Sequence, residues 1–483
     1  MFSALQKEDS SRVFRFSVVL KEEIEPEKLK AAVKRTMEHL PAFSYRFKKG
    51  FFWGYLEKTD ILPNVTEDDK IISQPRWLGK NGGPELEVLY YKRRLTLEFS
   101  HVLTDGSGAV AFTKALLKEY FSDVIPFEED EEVSFEELTE NAYKRHYNKN
   151  SSAKRESSNE KVFVIDKIQN ENTARYFSGL MPVSQLKEKS KSRGMTITEY
   201  LAAVYVYAII QSAKEAIDKP IALSIPINFR GHFPSKTVRN FSGDTSLKYT
   251  GKTEKDVSFE DVCEDIKGKL KNGIDKNIIQ GFINGTYSLT VNPILRIVPF
   301  VIKQPVLDAS QKKNHADSMT SILTNLGNIS FGEVLDSKIE RLECVGGDIR
   351  IYGLTTMASV VSFNGYLNLF LNSSVENTTL FRDFFKTLSE DGVDVRVESS
   401  HDNGFDLSRK SETGKRCQSC GVDLGEEYTV CPLCKNKATE EKKHIEGFET
   451  AAYSSEFKER NAVSAVKTAH KPSFEKLRAF FNL

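Results

Sequence analysis

The chain has 483 residues, enough for about three domains, and its 39% hydrophobic content can fill large cores. Lys and Arg (68) balance Asp and Glu (68), so there is no basic surplus pointing to nucleic acid or another polyanion. The opening MFSALQKEDSSR lacks a basic stretch followed by an apolar one, so no signal peptide is expected, and the longest apolar run, 200–210, is about half a bilayer span. A cytoplasmic protein without a transmembrane segment is expected.

Residues 13–20 read as a strand with apolar residues on both faces. Pro26 opens a helix that places Leu29, Ala32, Val33 and Met37 on one side. Strands follow at 43–47 and 51–56, joined at Lys49-Gly50, and at 86–91 and 95–99. A helix then runs over 107–120. The acidic run 128–132 reads as a solvated loop. The polar stretch 148–160 reads as a linker that closes an N-terminal unit, 1–147.

The second unit, 161–400, contains a helix at 183–192, a turn at Arg193-Gly194, and an N-cap at Thr196 or Thr198 leading into the apolar helix 199–210. Strands are expected at 221–227, 245–249, 321–326, 357–363 and 366–371, with helices at 259–271 and 380–388. Both units are therefore α+β, with helices covering mixed sheets. A second polar linker, 401–415, precedes a cysteine module at 416–440 and a charged tail at 441–483, where only 474–481 hints at a short amphipathic helix.

The strand 95–99 runs into Ser100-His101-Val102-Leu103-Thr104-Asp105-Gly106. A strand end is a rigid support for a base, and a neutral imidazole can accept a proton from a hydroxyl or amine near pH 7. Asp105 can hold the loop by pairing with an arginine, and Gly106 allows a tight turn or a close approach. Alternatively, Asp105 or Ser107 caps the following helix while His101 packs at the surface.

SHVLTDGSG resembles the HxxxDG site of the chloramphenicol acetyltransferase-like superfamily, whose members include condensation domains of nonribosomal peptide synthetases, alcohol acetyltransferases and plant acyltransferases. EHLPAFSYRFKKGFFW resembles the start of those proteins, GLMPVSQLKEKSKSRGMTITEYLAAVYVYAI the opening of their second half, and IPINFRGHFPSKTVRNFSGD and TNLGNI later segments. These matches cover most of residues 10–395 in the expected order, and bacterial alcohol acetyltransferase-like proteins are the nearest sub-group. Ser100 stands where many members carry a first histidine, and the DFGWG motif of plant members is absent.

The resemblance implies two similar lobes with a tunnel between them. Acyl-CoA enters from one side and a small-molecule acceptor from the other, with His101 between them as general base for transfer of an acyl group, such as acetyl, to an alcohol. It also implies an arginine partner for Asp105, either Arg46 or Arg230, and an oxyanion donor on the TNLGNI strand, either Asn325 or Thr324. Two other readings stay open. One is a condensation-like enzyme taking its acyl group from a carrier protein. The other is a non-catalytic scaffold whose cysteine module recruits a protein partner.

Cys417-x2-Cys420 and Cys431-x2-Cys434, ten residues apart, have the spacing that places four thiolates around one tetrahedral Zn2+. A closed four-cysteine site is structural. Gly421 and Pro432 suit the knuckle turns, and so short a module has little core without metal. His232 and His315 are expected in loops without a role, Trp53 and Trp77 as core or loop anchors, and Cys263 and Cys344 as buried thiols.

Overall fold

The computed structural model describes residues 13–68, 78–79, 82–123, 133–151, 153, 160–165, 175–347, 349, 353–374, 378–399, 415–425 and 428–438. Trp77, the acidic run, most of both expected linkers and the tail from 441 lie outside these residues.

The N-terminal part contains β1 (Val13–Leu20), α1 (Pro26–His39), β2 (Tyr45–Lys49), β3 (Gly54–Lys58), β4 (Val65–Glu67), β5 (Leu86–Tyr91), β6 (Arg94–Ser100), α2 (Gly106–Tyr120), α3 (Phe135–Thr139) and α4 (Ala142–Arg145). Phe14, Phe16 and Val18 alternate onto the face of the sheet that receives Leu29, Val33 and Met37 of α1 and Phe112 and Leu116 of α2. Burying aromatic and aliphatic side chains from both layers is what holds this lobe together.

Next come β7 (Arg175–Pro182), α5 (Val183–Ser192), α6 (Ile197–Ser212), β8 (Ile221–Asn228), β9 (Ser242–Tyr249), α7 (Phe259–Ile266), α8 (Lys269–Gly273), α9 (Lys276–Val291), α10 (Pro293–Ile297), α11 (Phe300–Ser318) and β10 (Ser321–Asn328). The order ends with α12 (Glu333–Asp336), β11 (Ile339–Val345), β12 (Thr356–Phe363), β13 (Tyr366–Ser373), α13 (Thr379–Glu390), β14 (Arg396–Ser399), β15 (Lys415–Arg416) and β16 (Asp423–Leu424). Thr196, rather than Thr198, caps α6: it exchanges bonds with Glu199 in a capping box. Helix α6 is apolar on nearly every side because the sheet, α7 and α13 enclose it. The helix expected over 259–271 breaks in two, with Gly268 at φ +76 starting α8. Residue 315 falls within α11, not in a loop.

The sheets do not divide at the boundaries expected from the sequence. The five-stranded sheet has the order β11-β1-β6-β5-β4, so a strand from the second half of the chain pairs antiparallel with β1. The nine-stranded sheet, β15-β16-β14-β7-β13-β12-β10-β8-β9, includes the short strands of the cysteine module, with β16 parallel to β14. One strand of the second unit thus completes the sheet of the first, and the cysteine module extends the sheet of the second. The polar stretch from 148 also begins packed, since Asn148 bonds through its N–H and C=O to the Asn284 side chain on α9.

A layer of buried charge lies on the side of the five-stranded sheet away from its helices. Arg15 pairs with Glu98 at 2.6 Å and Asp68 at 3.3 Å, Arg94 with Asp68 at 2.9 Å, and Arg341 with Glu343 at 2.9 Å. Arg341 also reaches Glu398 on β14 of the other sheet at 3.7 Å, linking the two layers. Cys263 and Cys344 are buried, and burial pushes both thiols up to about 12, which leaves them protonated and unreactive.

Candidate active site

Strand β6 is buried along its whole length and stops at Ser100. The chain then turns through 101–104, and Asp105 begins α2 as its N-cap, with Oδ1 accepting from the Gly108 N–H at 3.1 Å. His101 thus stands on a short loop fixed at both ends, half-buried, with its ring against Phe14 at a centroid distance of 4.4 Å.

The loop is also fixed from the opposite sheet. The other oxygen of Asp105, Oδ2, accepts from Arg230 Nη1 at 2.9 Å and from the Phe241 N–H at 2.8 Å. Arg230 uses its remaining N–H groups on the Thr237 and Arg239 carbonyls, which folds the segment after β8 into a compact clamp. That clamp reaches back to the histidine loop. Asn240 Nδ2 donates to the His101 carbonyl at 2.7 Å, Thr104 Oγ1 donates to the Val238 carbonyl at 2.6 Å, and Arg239 Nη1 donates to the Leu103 carbonyl at 3.3 Å. The Arg239 cation rests 4.9 Å from the centre of the Tyr45 ring, and burial holds its pKa down to about 10.

Arg46 does not take part: it pairs with Glu57 across the β2–β3 hairpin at 2.6 Å. Neither oxygen of Asp105 is left for it, and hairpin register had already placed a carboxylate beside it. Asn325 is likewise engaged elsewhere. Its Nδ2 donates to Thr198 Oγ1 and its Oδ1 accepts from the Gly327 N–H, so it faces the helix side of β10. Strand alternation places Thr324 on the opposite side with Leu326, whose side chain lies against Gly106. Of the two oxyanion candidates, Thr324 is the one on the seam face.

Gly106 leaves room for Leu326, a flexible neighbour that would sit 2.6 Å from an added Cβ. Gly108 is under a harder constraint. A Cβ there would come within 2.3 Å of the Val238 carbonyl and 2.0 Å of Thr104 Oγ1. Only glycine lets the start of α2 approach the clamp this closely. Gly108, Asn240 and Arg239 were not singled out from the sequence; the second glycine of DGSG was the one available signal. His232 ends the short turn that carries Arg230.

Behind the loop, Glu85 faces Ser100 across the β5–β6 ladder and is 1% exposed. Burial pushes its carboxyl up to about 7, against the opposing pull of the Phe47 N–H and the Ser100 hydroxyl.

The four cysteine sulfurs lie within 4.8 Å of one another, with Cys417 to Cys434 at 3.3 Å and Cys420 to Cys431 at 3.6 Å. Tetrahedral zinc with Zn–S near 2.3 Å sets its sulfurs about 3.8 Å apart, so the donor set and spacing fit the metal. The module is not pendant. Cys417, Cys420, Cys431, Val422 and Leu424 belong to the same core as α6 and α13, and the Ser389 hydroxyl donates to the Gly421 carbonyl at 2.8 Å.

No family model and no curated protein matches the chain. Among solved structures, TRI101 of F. graminearum complexed with coenzyme A and deoxynivalenol superposes with a TM-score of 0.54 at 13% identity, covering 77% of this chain and 94% of that one. TRI101 of F. sporotrichioides complexed with coenzyme A and T-2 gives 0.54 at 12% identity, over 79% and 95%. Polyketide synthase associated protein 5 from Mycobacterium tuberculosis gives 0.50 at 14% identity, over 79% and 98%. The chain thus has the fold of the TRI101 proteins and of the polyketide synthase associated protein. Within that fold class, the chain matches nearly the full length of TRI101 and of the polyketide synthase associated protein.

Two predictions follow from this geometry. Arg230→Ala leaves the Asp105 carboxylate buried without its cation and releases two carbonyls, so it should destabilise the protein by about 3 kcal/mol and lower the melting temperature by several degrees. Glu85, with a folded pKa of about 7 against 4.5, retains a proton that the unfolded chain releases. Stability from this group is therefore lost as pH rises from about 4.5 to about 7, by about 3 kcal/mol in all. Glu85→Gln keeps an acceptor for the Phe47 N–H and has no proton to lose. Urea unfolding should find it more stable than the parent at pH 8, with the difference closing toward pH 5.

Proposed function

We propose that the chain is an acyltransferase that moves an acyl group from coenzyme A to an alcohol, with His101 as general base. The observation that carries the reading is the clamp: five hydrogen bonds between 228–241 and the 101–105 loop fix that loop at the seam of the two sheets while the imidazole stays half-buried. A base held this rigidly keeps its geometry when substrates bind. The fold neighbours complexed with coenzyme A support the choice of donor.

In this reading the two substrates meet in a passage between the lobes. The imidazole of His101 removes the proton from the acceptor hydroxyl as its oxygen attacks the thioester carbonyl. The tetrahedral intermediate then collapses, expelling the thiolate of coenzyme A, which takes the proton back from the imidazolium. The products are an ester and free coenzyme A, with no acyl-enzyme. Thr324 is the candidate donor to the developing oxyanion. Asp105 and Arg230 act through the loop as positioning residues and never meet substrate.

A carrier-protein thioester as donor is the second reading, supported by the likeness to a polyketide synthase associated protein. Free-thiol release should be followed with a panel of acyl-CoAs and alcohols and with a carrier-bound acyl group. Turnover with free acyl-CoA is expected, and His101→Ala should lower it by at least about 10²-fold without changing the circular dichroism spectrum. Undiminished turnover in that variant removes His101 from the reaction, and turnover only with the carrier transfers the donor assignment to the second reading.

The cysteine module holds one structural Zn2+ through Cys417, Cys420, Cys431 and Cys434. The metal supplies cross-linking in place of a core of the module's own. Because the module extends the nine-stranded sheet, stripping the metal should also weaken that lobe. Elemental analysis should find about one zinc per chain and none after all four cysteines become serine, and a strong chelator should lower the melting temperature of the whole protein. A metal-free chain with an unchanged melting temperature contradicts this assignment.

A further inference from the structure

The surface carries the strongest signal. Phe51, Ile294, Ile297, Val301, Ile302 and Val306 are each between 60% and 76% exposed. Scattered exposed apolar residues are ordinary, but a contiguous set marks a contact surface. These six lie on neighbouring segments. Ile294 and Ile297 are one turn apart on α10, Val301 opens α11 after the break at 298–299, and Ile302 and Val306 are one turn apart on α11.

The tip of the β2–β3 hairpin joins them from the other lobe. The Phe300 N–H donates to the Phe51 carbonyl at 2.7 Å, and Phe47 and Leu307 pack on Phe300 below the surface. Lys303 is buried with its ammonium 3.4 Å from the centre of the Trp53 ring, which ties the hairpin to α11. The apolar surface is therefore a constructed one, braced from beneath by contacts between the two lobes.

Its charge is one-sided. From 276 to 307 the chain carries Lys276, Arg296 and Lys303 and no Asp or Glu, the nearest acidic residues being Asp275 and Asp308. Lys49 leads into the hairpin tip, whereas Lys48 is matched by Glu57 on the facing strand at 3.8 Å. Arg296 and Lys49 are exposed. We infer that this face docks the protein on the surface of an anionic lipid bilayer, with the apolar side chains inserted among the acyl chains and the cations at the headgroups. Such a face gains from both apolar burial and attraction to anionic lipid. A second copy is a poorer occupant, because pairing the face with itself would bring its cations together. Among the described residues no helix is long and apolar enough to cross a membrane. The hairpin that carries Phe51 also bonds to Glu85, through the Phe47 N–H, next to the histidine loop. The inference does not depend on the acyl-transfer reading.

The test is co-sedimentation of the full chain with vesicles of phosphatidylcholine alone and of phosphatidylcholine mixed with phosphatidylglycerol. Binding to the mixed vesicles is expected, much weaker on phosphatidylcholine and released by salt. Ile294→Ser combined with Ile297→Ser and Val301→Ser, or Phe51→Ser alone, should each weaken binding, the triple change by at least about tenfold, with an unchanged melting temperature because these side chains are exposed. Arg296→Glu should weaken only the component that depends on phosphatidylglycerol. No binding to either vesicle overturns the inference, as does equal binding by the parent and the triple variant. A dimer of the parent that the triple variant dissociates, seen by analytical ultracentrifugation, gives the face to a second copy instead.

Discussion

The ion pair between Asp105 and Arg230 is the constraint on which the rest of the site depends. One carboxylate does two tasks: Oδ1 caps α2, and Oδ2 holds the arginine that folds the segment after β8. The partners lie 125 residues apart in the chain, on segments that follow strands of different sheets, β6 and β8. Both side chains are nearly buried, where a charge without its partner is expensive, so the two sheets are held in one relative placement wherever this pair forms. Position of the His101 loop and closure of the seam are thus one event.

The same coupling of distant segments recurs elsewhere. Strand β11 leaves the second half of the chain to pair with β1, bringing Arg341 and Glu343 into the layer that already holds Arg15, Glu98 and Asp68. The cysteine module returns to β14 and adds its own strands to the sheet edge, which leaves that edge covered by chain of its own. Two lobes joined by a plain linker hinge freely, but the crossing of β11 and a shared charge layer resist sliding of one lobe past the other. The apolar face around α10, α11 and the hairpin tip also draws on both lobes.

Most regular elements were legible where local pattern and environment agree. Helix α1 shows one apolar stripe after a proline, and β12 and β13 are apolar runs bounded by turns, so their limits could be read to within a residue or two. Strand β11, IERLECV, was not read because the side that carries Arg341 and Glu343 is buried rather than solvated; the two pair with each other, and Glu398, distant in the chain, also lies near Arg341. Helices α9 to α11 were missed for a related reason. Their apolar residues lie on exposed as well as buried sides, which blurs the period on which a helix is recognised.

By itself the sequence determined the things that depend on short spacing. These are the HxxxDG arrangement that puts a histidine at a strand end and an aspartate at a helix start, the two cysteine pairs whose knuckles can meet around one metal, and the period of the well-patterned strands and helices. Only the tertiary structure decided which arginine serves Asp105, which of Thr324 and Asn325 faces the seam, why Gly108 is more constrained than Gly106, and where β11 and the cysteine module attach. Spacing is a property of a few consecutive residues, whose geometry the backbone fixes. Partner choice is a competition among groups brought together by the whole fold, and Arg46 was lost to Asp105 because Glu57 on the facing strand lay closer.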